Sequence, residues 1–133
     1  MTTANHASWT VRTAFPARVT VIALHGEIDA DVADELYRCV AGGLDDGADV
    51  VVDLADASLL DCACIGALVR GRHTADREGR TLVLSGPRPG VRHVLDVTGV
   101  PSFVPVFPDC WTAVSRLSDS PCRSRRGDVD AHV

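Results

Sequence analysis

A chain of 133 residues that is 46% apolar and 23% charged has the composition of one globular domain, long enough to bury a core without disulfide or metal staples. No run approaches the ~18 uninterrupted apolar residues of a membrane helix, and the first 17 residues lack the basic start and apolar stretch of a secretory leader, so the expected location is the cytoplasm, with no membrane partner. The net charge of −5 is unevenly placed: residues 1–61 carry 11 acids and 3 arginines, residues 62–133 carry 7 acids and 10 arginines, and there is no lysine, a balance that speaks against direct nucleic-acid binding.

The β-branched run Arg18–Leu24 ends at His25-Gly26 and predicts a strand, paired in a hairpin with Trp9–Phe15 through the Pro16-Ala17 turn. Asp29 and Asp31 offer N-caps for a helix whose apolar positions Val32, Leu36, Val40 and Leu44 recur near the helical period, with Gly42-Gly43 weakening its end. Asp49–Leu54 is a continuous apolar run typical of a covered strand, and Ala55–Leu60 reads as a short connector. From Asp61 a helix follows with Ile65, Leu68, Val69 and Arg72 on one side, stopped by Gly79. Thr81–Leu84 is a third buried strand. Pro87 and Pro89 open a helix with Val91, Val94 and Leu95 as its stripe, closed by Gly99. Phe103–Phe107 reads as an edge strand because Pro105 cannot donate to a ladder, and Asp109 caps a last helix bearing Cys110, Val114 and Leu117. The order β-β-α-β-α-β-α-β-α demands parallel pairing through right-handed crossovers after the hairpin. Residues from Ser118 onward lack periodicity and apolar content, so a disordered tail is expected there.

One passage carries most of the chemistry. A buried strand, Val50–Leu54, leads through a tight loop into Asp61-Cys62-Ala63-Cys64-Ile65-Gly66, where a helix begins. The first N–H groups of a helix have no partner within it, and Asp61 is placed to cap them. Small residues at Cys62, Ala63 and Gly66 leave the backbone open to approach by another molecule.

This passage resembles the strand-loop-helix signature of STAS domains, the anti-sigma-factor antagonists and their relatives, in which the loop typically reads Asp-Ser-Ser/Thr-Gly-Leu-Gly. Three more segments agree: His25-Gly26-Glu27-Ile28-Asp29 is similar to the family's Gly-Glu-Leu-Asp after the second strand, Gly79–Leu84 to its third-strand entry, and Val91–Val100 to its helix ending in Leu-Thr-Gly-Leu. The resemblance implies a STAS-like α/β fold, a mixed four- to five-stranded sheet with about four flanking helices in a single domain over residues 9–117, between a flexible N-terminus (1–8) and a C-terminal tail (118–133). It implies a regulatory protein-binding module whose partner is an anti-sigma factor of the serine kinase/ATPase type. Asp61, Cys62, Ala63, Cys64, Ile65 and Gly66 would form the partner-binding loop, with Glu27 and Asp29 on the docking rim. The family's phospho-acceptor serine corresponds here to Cys62, followed by Ala63, and its glycine to Cys64. No hydroxyl stands where the kinase needs one; the nearest, Ser58, precedes the capping Asp61.

Other readings compete for the same residues. Cys62 or Cys64 at a helix start could serve as a redox-sensing thiol or a nucleophile. The helix dipole offers only about 0.3–1 kcal/mol, the adjacent Asp61 carboxylate opposes it, and no histidine lies nearer in sequence than His73. No catalytic residue is therefore assigned. Cys62, Cys64 and His73 make a poor metal set, since residues two apart do not share a helix face, and no metal or other cofactor is expected. Glu27, Asp29 and Asp61 suit a rim better than an acid/base pair. Arg70, Arg72, Arg77, Arg80, Arg88 and Arg92 read as a solvated helix face rather than a phosphate site, and Trp9 and Trp111 as core or edge packing residues. A generic STAS scaffold or ligand-binding module remains the broader alternative.

Overall fold

The computed structural model describes residues 7–14 and 18–118. Of the proposed tail (118–133), Ser118 is the last residue of a helix and the rest lies outside the described residues, as do residues 1–6 of the proposed N-terminal arm.

Strands β1 (Ser8–Ala14) and β2 (Val19–Ile28) form the expected antiparallel hairpin, with Ala14 opposite Val19 and Ser8 opposite His25. Helix α1 (Ala33–Asp45), β3 (Asp49–Leu60), α2 (Cys62–Glu78), β4 (Leu82–Ser85), α3 (Pro89–Thr98), β5 (Val106–Phe107) and α4 (Cys110–Ser118) follow in the predicted order. Local chemistry sets the boundaries. The Asp61 and Asp109 carboxylates accept from the N–H groups of Ala63 and Thr112 at the starts of α2 and α4. Pro89 occupies the first turn of α3, and Gly79 ends α2 with φ +70°, a conformation that side chains other than glycine resist.

Four boundaries differ from expectation. Strand β2 runs past His25-Gly26 to Ile28, and the segment read as a connector, Ala55–Leu60, continues β3. The two extensions pair with each other: His25 with Asp56, Glu27 with Leu59 and Ile28 with Leu60, through two irregularities of register. Backbone pairing makes a strand of residues whose side chains show little β preference. Asp29 caps a single 3-10 turn (Ala30–Val32) by accepting from the Asp31 N–H, so Asp31 is not itself a cap, and α1 begins after Val32 without a side-chain cap. Strand β5 shrinks to two residues because Val100–Ser102 takes a 3-10 turn and Pro105 lacks an N–H.

The sheet order is β1-β2-β3-β4-β5, parallel from β2 to β5. When successive parallel strands step in one direction, right-handed crossovers lay every connecting helix on the same face. Helices α1, α2 and α3 accordingly cover one face, burying Leu36, Val40, Leu44, Leu68, Val91 and Leu95 against Ile22, Leu24, Val52, Leu54 and Leu84. Among the described residues, helix α4 alone covers the other, setting Ala113 and Leu117 on Val19, Val21, Val51 and Val83. Gly71 lets α1 and α2 approach closely: a Cβ there would meet Val40 at 3.0 Å and Leu82 at 3.1 Å.

Candidate functional site

The extensions of β2 and β3 carry the candidate loop to the C-terminal end of the sheet, beyond the point where β3 last pairs with β4, at Asp53 and Ser85. Strand β3 ends at Leu60; the Asp61 N–H donates to the Ile28 carbonyl at 2.9 Å, and the Asp61 carbonyl accepts from Cys64 and Ile65 to begin α2. With its side chain on the Ala63 N–H at 3.3 Å, Asp61 closes the helix N-terminus from both main chain and side chain.

The six loop residues divide by face. Cys62, Ala63 and Gly66 are exposed on the outer side of the first turns, and a Cβ at Gly66 would meet nothing within 4 Å. Cys64 and Ile65 point into the core. Asp61 is half-buried between them. The outer surface is thus small, smooth and free of charge beside a capped helix end. Sequence reasoning missed its neighbour Leu59, 47% exposed, which sits on β3 opposite Glu27.

The two cysteines have different chemistry. The Cys64 thiol donates to the Asp29 carbonyl at 3.0 Å, tying the loop to the turn before α1. Burial first, and then the Asp61 and Asp29 carboxylates, push its pKa up to about 11. A thiol held neutral in this way is a poor nucleophile and a poor redox centre. Cys62 stands exposed and apart from it, and the described cysteines are all free thiols. Among the described residues no three His, Cys, Asp or Glu side chains converge in a way that could hold a metal ion.

Glu27 and Asp29, both exposed, flank the loop, Asp29 through the Cys64 contact and Glu27 through its register with Leu59. The neighbouring His25 pairs with Asp56 at 3.2 Å. The arginines do not gather into one patch. Arg70 lies over the Tyr37 ring, 4.0 Å from its centroid, and Arg72 binds Asp76 and the Phe103 carbonyl. Arg88 donates to the Ala55 carbonyl, and Arg92 pairs with Asp96 one helical turn away. Trp9 packs against the core as expected, but Trp111 is 78% exposed. Ala113 and Leu117 supply the inner face of α4, which turns position 111 outward.

The STAS domain family model matches residues 10–113, which takes in nearly all of the sheet, the turn between β3 and α2 and the first part of α4. The chain belongs to the STAS domain family. Solved STAS structures share the architecture. An anti-sigma factor antagonist from Mycobacterium paratuberculosis is 20% identical with a TM-score of 0.77, over 90% of this chain and all of that one. The anti-sigma factor antagonist SpoIIAA in its unphosphorylated form is 18% identical with a TM-score of 0.70, over 83% of this chain and 96% of its own. A STAS domain protein from Planctomyces limnophilus is 19% identical with a TM-score of 0.70, over 82% and 98%. At these identities the shared property is the fold. No curated protein matches the chain. This STAS domain therefore resembles the anti-sigma-factor antagonists in architecture, and no helix among its described residues is long and apolar enough to cross a membrane.

Proposed function

We propose that this STAS domain is a non-enzymatic regulatory module that docks, through the turn between β3 and α2, on an anti-sigma factor of the serine kinase/ATPase type, acting in a partner-switching circuit of a bacterial cytoplasm. The observation that carries the reading is the exposed, uncharged surface of Cys62, Ala63 and Gly66 beside the Asp61-capped helix end, with Glu27 and Asp29 as an acidic rim. Such a surface lets another protein approach the backbone closely, and acids at the rim steer a partner of opposite charge. Phosphorylation would add about −1.5 to −2 charges at such a turn. With Cys62 at the acceptor position and Ala63 after it, this switch has no hydroxyl to act on, and the module stays in its docking-competent form.

The test is a binding titration against anti-sigma factors of that type from the same genome. Cys62→Glu adds a carboxylate where the helix end tolerates it, since an acid near a helix N-terminus is stabilising by about 0.3–1 kcal/mol. The fold should therefore persist while binding to the cognate factor weakens at least tenfold. Equal binding by wild type and Cys62→Glu overturns the docking surface. Incubation with the kinase and ATP should leave residues 58–66 unmodified by mass spectrometry; a phosphate on Ser58 overturns the claim of a locked state.

A further inference from the structure

Among the described residues, the α4 face of the β1–β2 strand pair leaves Arg12 exposed, while Val19 and Val21 beneath are buried. Between that strand pair and the start of α4 lies a cleft of about 330 Å³ lined by Arg12, Thr13, Ala14, Val21, Cys110, Trp111 and Val114. The volume is near the lower end for small-molecule sites, which run from about 300 to 1,000 Å³ and are mostly apolar with a few polar groups. The lining follows that pattern. Val21, Ala14 and Val114 supply an apolar floor, and Trp111 stands at its edge with 78% of its surface in water. An indole left in water beside an apolar cleft gains from any apolar body that covers both.

Arg12 supplies the charge. Arg12 takes no part in the described ion pairs His25–Asp56, Arg70–Asp34, Arg72–Asp76 and Arg92–Asp96. Arg12 lies close enough to the Cys110 thiol to act on it, as do the Asp53 and Asp109 carboxylates. A guanidinium at the wall of an apolar cleft, outside those ion pairs, retains donors suited to a carboxylate.

We propose that this cleft binds a small amphipathic carboxylate, its apolar body lying between Trp111, Val114 and Val21 and its acid group on the Arg12 guanidinium. The site lies on the α4 face of the sheet, and it stands whether or not the β3–α2 turn docks a partner.

Octanoate is the probe, and Trp111 emission is the signal in a Trp9→Phe background. Octanoate should shift that emission to the blue with a saturable midpoint. Arg12→Gln should raise the midpoint about three- to fivefold, the range expected of a solvent-accessible ion pair. Octanol, which has the chain without the charge, should match wild-type octanoate no better than Arg12→Gln does. In Trp111→Ala, calorimetry should show octanoate binding weakened about tenfold or more. A non-saturating response overturns the proposal, as does equal binding of octanol and octanoate or an unchanged midpoint in Arg12→Gln. A Trp111 shift that follows protein concentration without octanoate also overturns it, because a second copy then occupies the cleft.

Discussion

The two faces of the sheet are built from similar valines and leucines and end in different states. On one, three helices laid down by same-handed crossovers enclose a deep core running from Ile22 to Val104. On the other, among the described residues, a single nine-residue helix covers a smaller cluster and leaves a cleft beside β1. The amount of cover is decided by strand order and crossover handedness, not by the hydrophobicity of the strands. A closely packed face resists changes of volume, whereas the opposite one holds a cleft of about 330 Å³.

Core truncation should show the largest asymmetry. Leu68→Ala, on the three-helix face, is expected near the top of the ~2–5 kcal/mol range for such cavities, and Leu117→Ala on α4 near the bottom. Urea denaturation measures both, and a larger loss for Leu117→Ala breaks the comparison. Glycines on the two sides of α2 sharpen it. Gly71→Ala pushes a methyl into Val40 and Leu82, at a cost of about 1–3 kcal/mol. Gly66→Ala meets open space and should stabilise the helix by about 0.5–1 kcal/mol while hindering docking.

Cys64 on the packed face gives a pH test. Its folded pKa is raised to about 11 from an ordinary 9.0, so the folded state holds the proton longer than the unfolded chain does. The stability it contributes is complete below about pH 9 and is lost as pH rises toward 11. Alkaline denaturation of wild type should therefore steepen over that window, and Cys64→Ala should remove the steepening. At neutral pH a thiol reagent should label Cys62 quickly and Cys64 only on unfolding. The smallest effect belongs to the open face: Trp111→Ser should change stability by no more than about 0.5 kcal/mol.

The element order, the Asp61 and Asp109 caps and the glycine stops were legible because each depends on local chemistry within a turn of helix. The extension of β3 through Ala55–Leu60 was not. Its strand character comes from backbone bonds to the end of β2, which side-chain preference does not report. The loop motif was legible as a string, but its division into an outer surface and a buried Cys64 needed the packing of α2. The same limit hid the exposure of Leu59 and Trp111. Periodicity locates a stripe on α4, and only the sheet beneath decides which side faces inward.

A sheet whose strands lie side by side in the order in which they are made has a consequence for its synthesis. Each strand that leaves the ribosome finds its only earlier neighbour already present, so no edge has to wait for a distant partner and no strand must insert between two others. Contacts of that kind close short loops and favour rapid assembly. The hairpin can seed the sheet, each later unit can dock on the last, and the α4 face is covered only when the last described helix arrives.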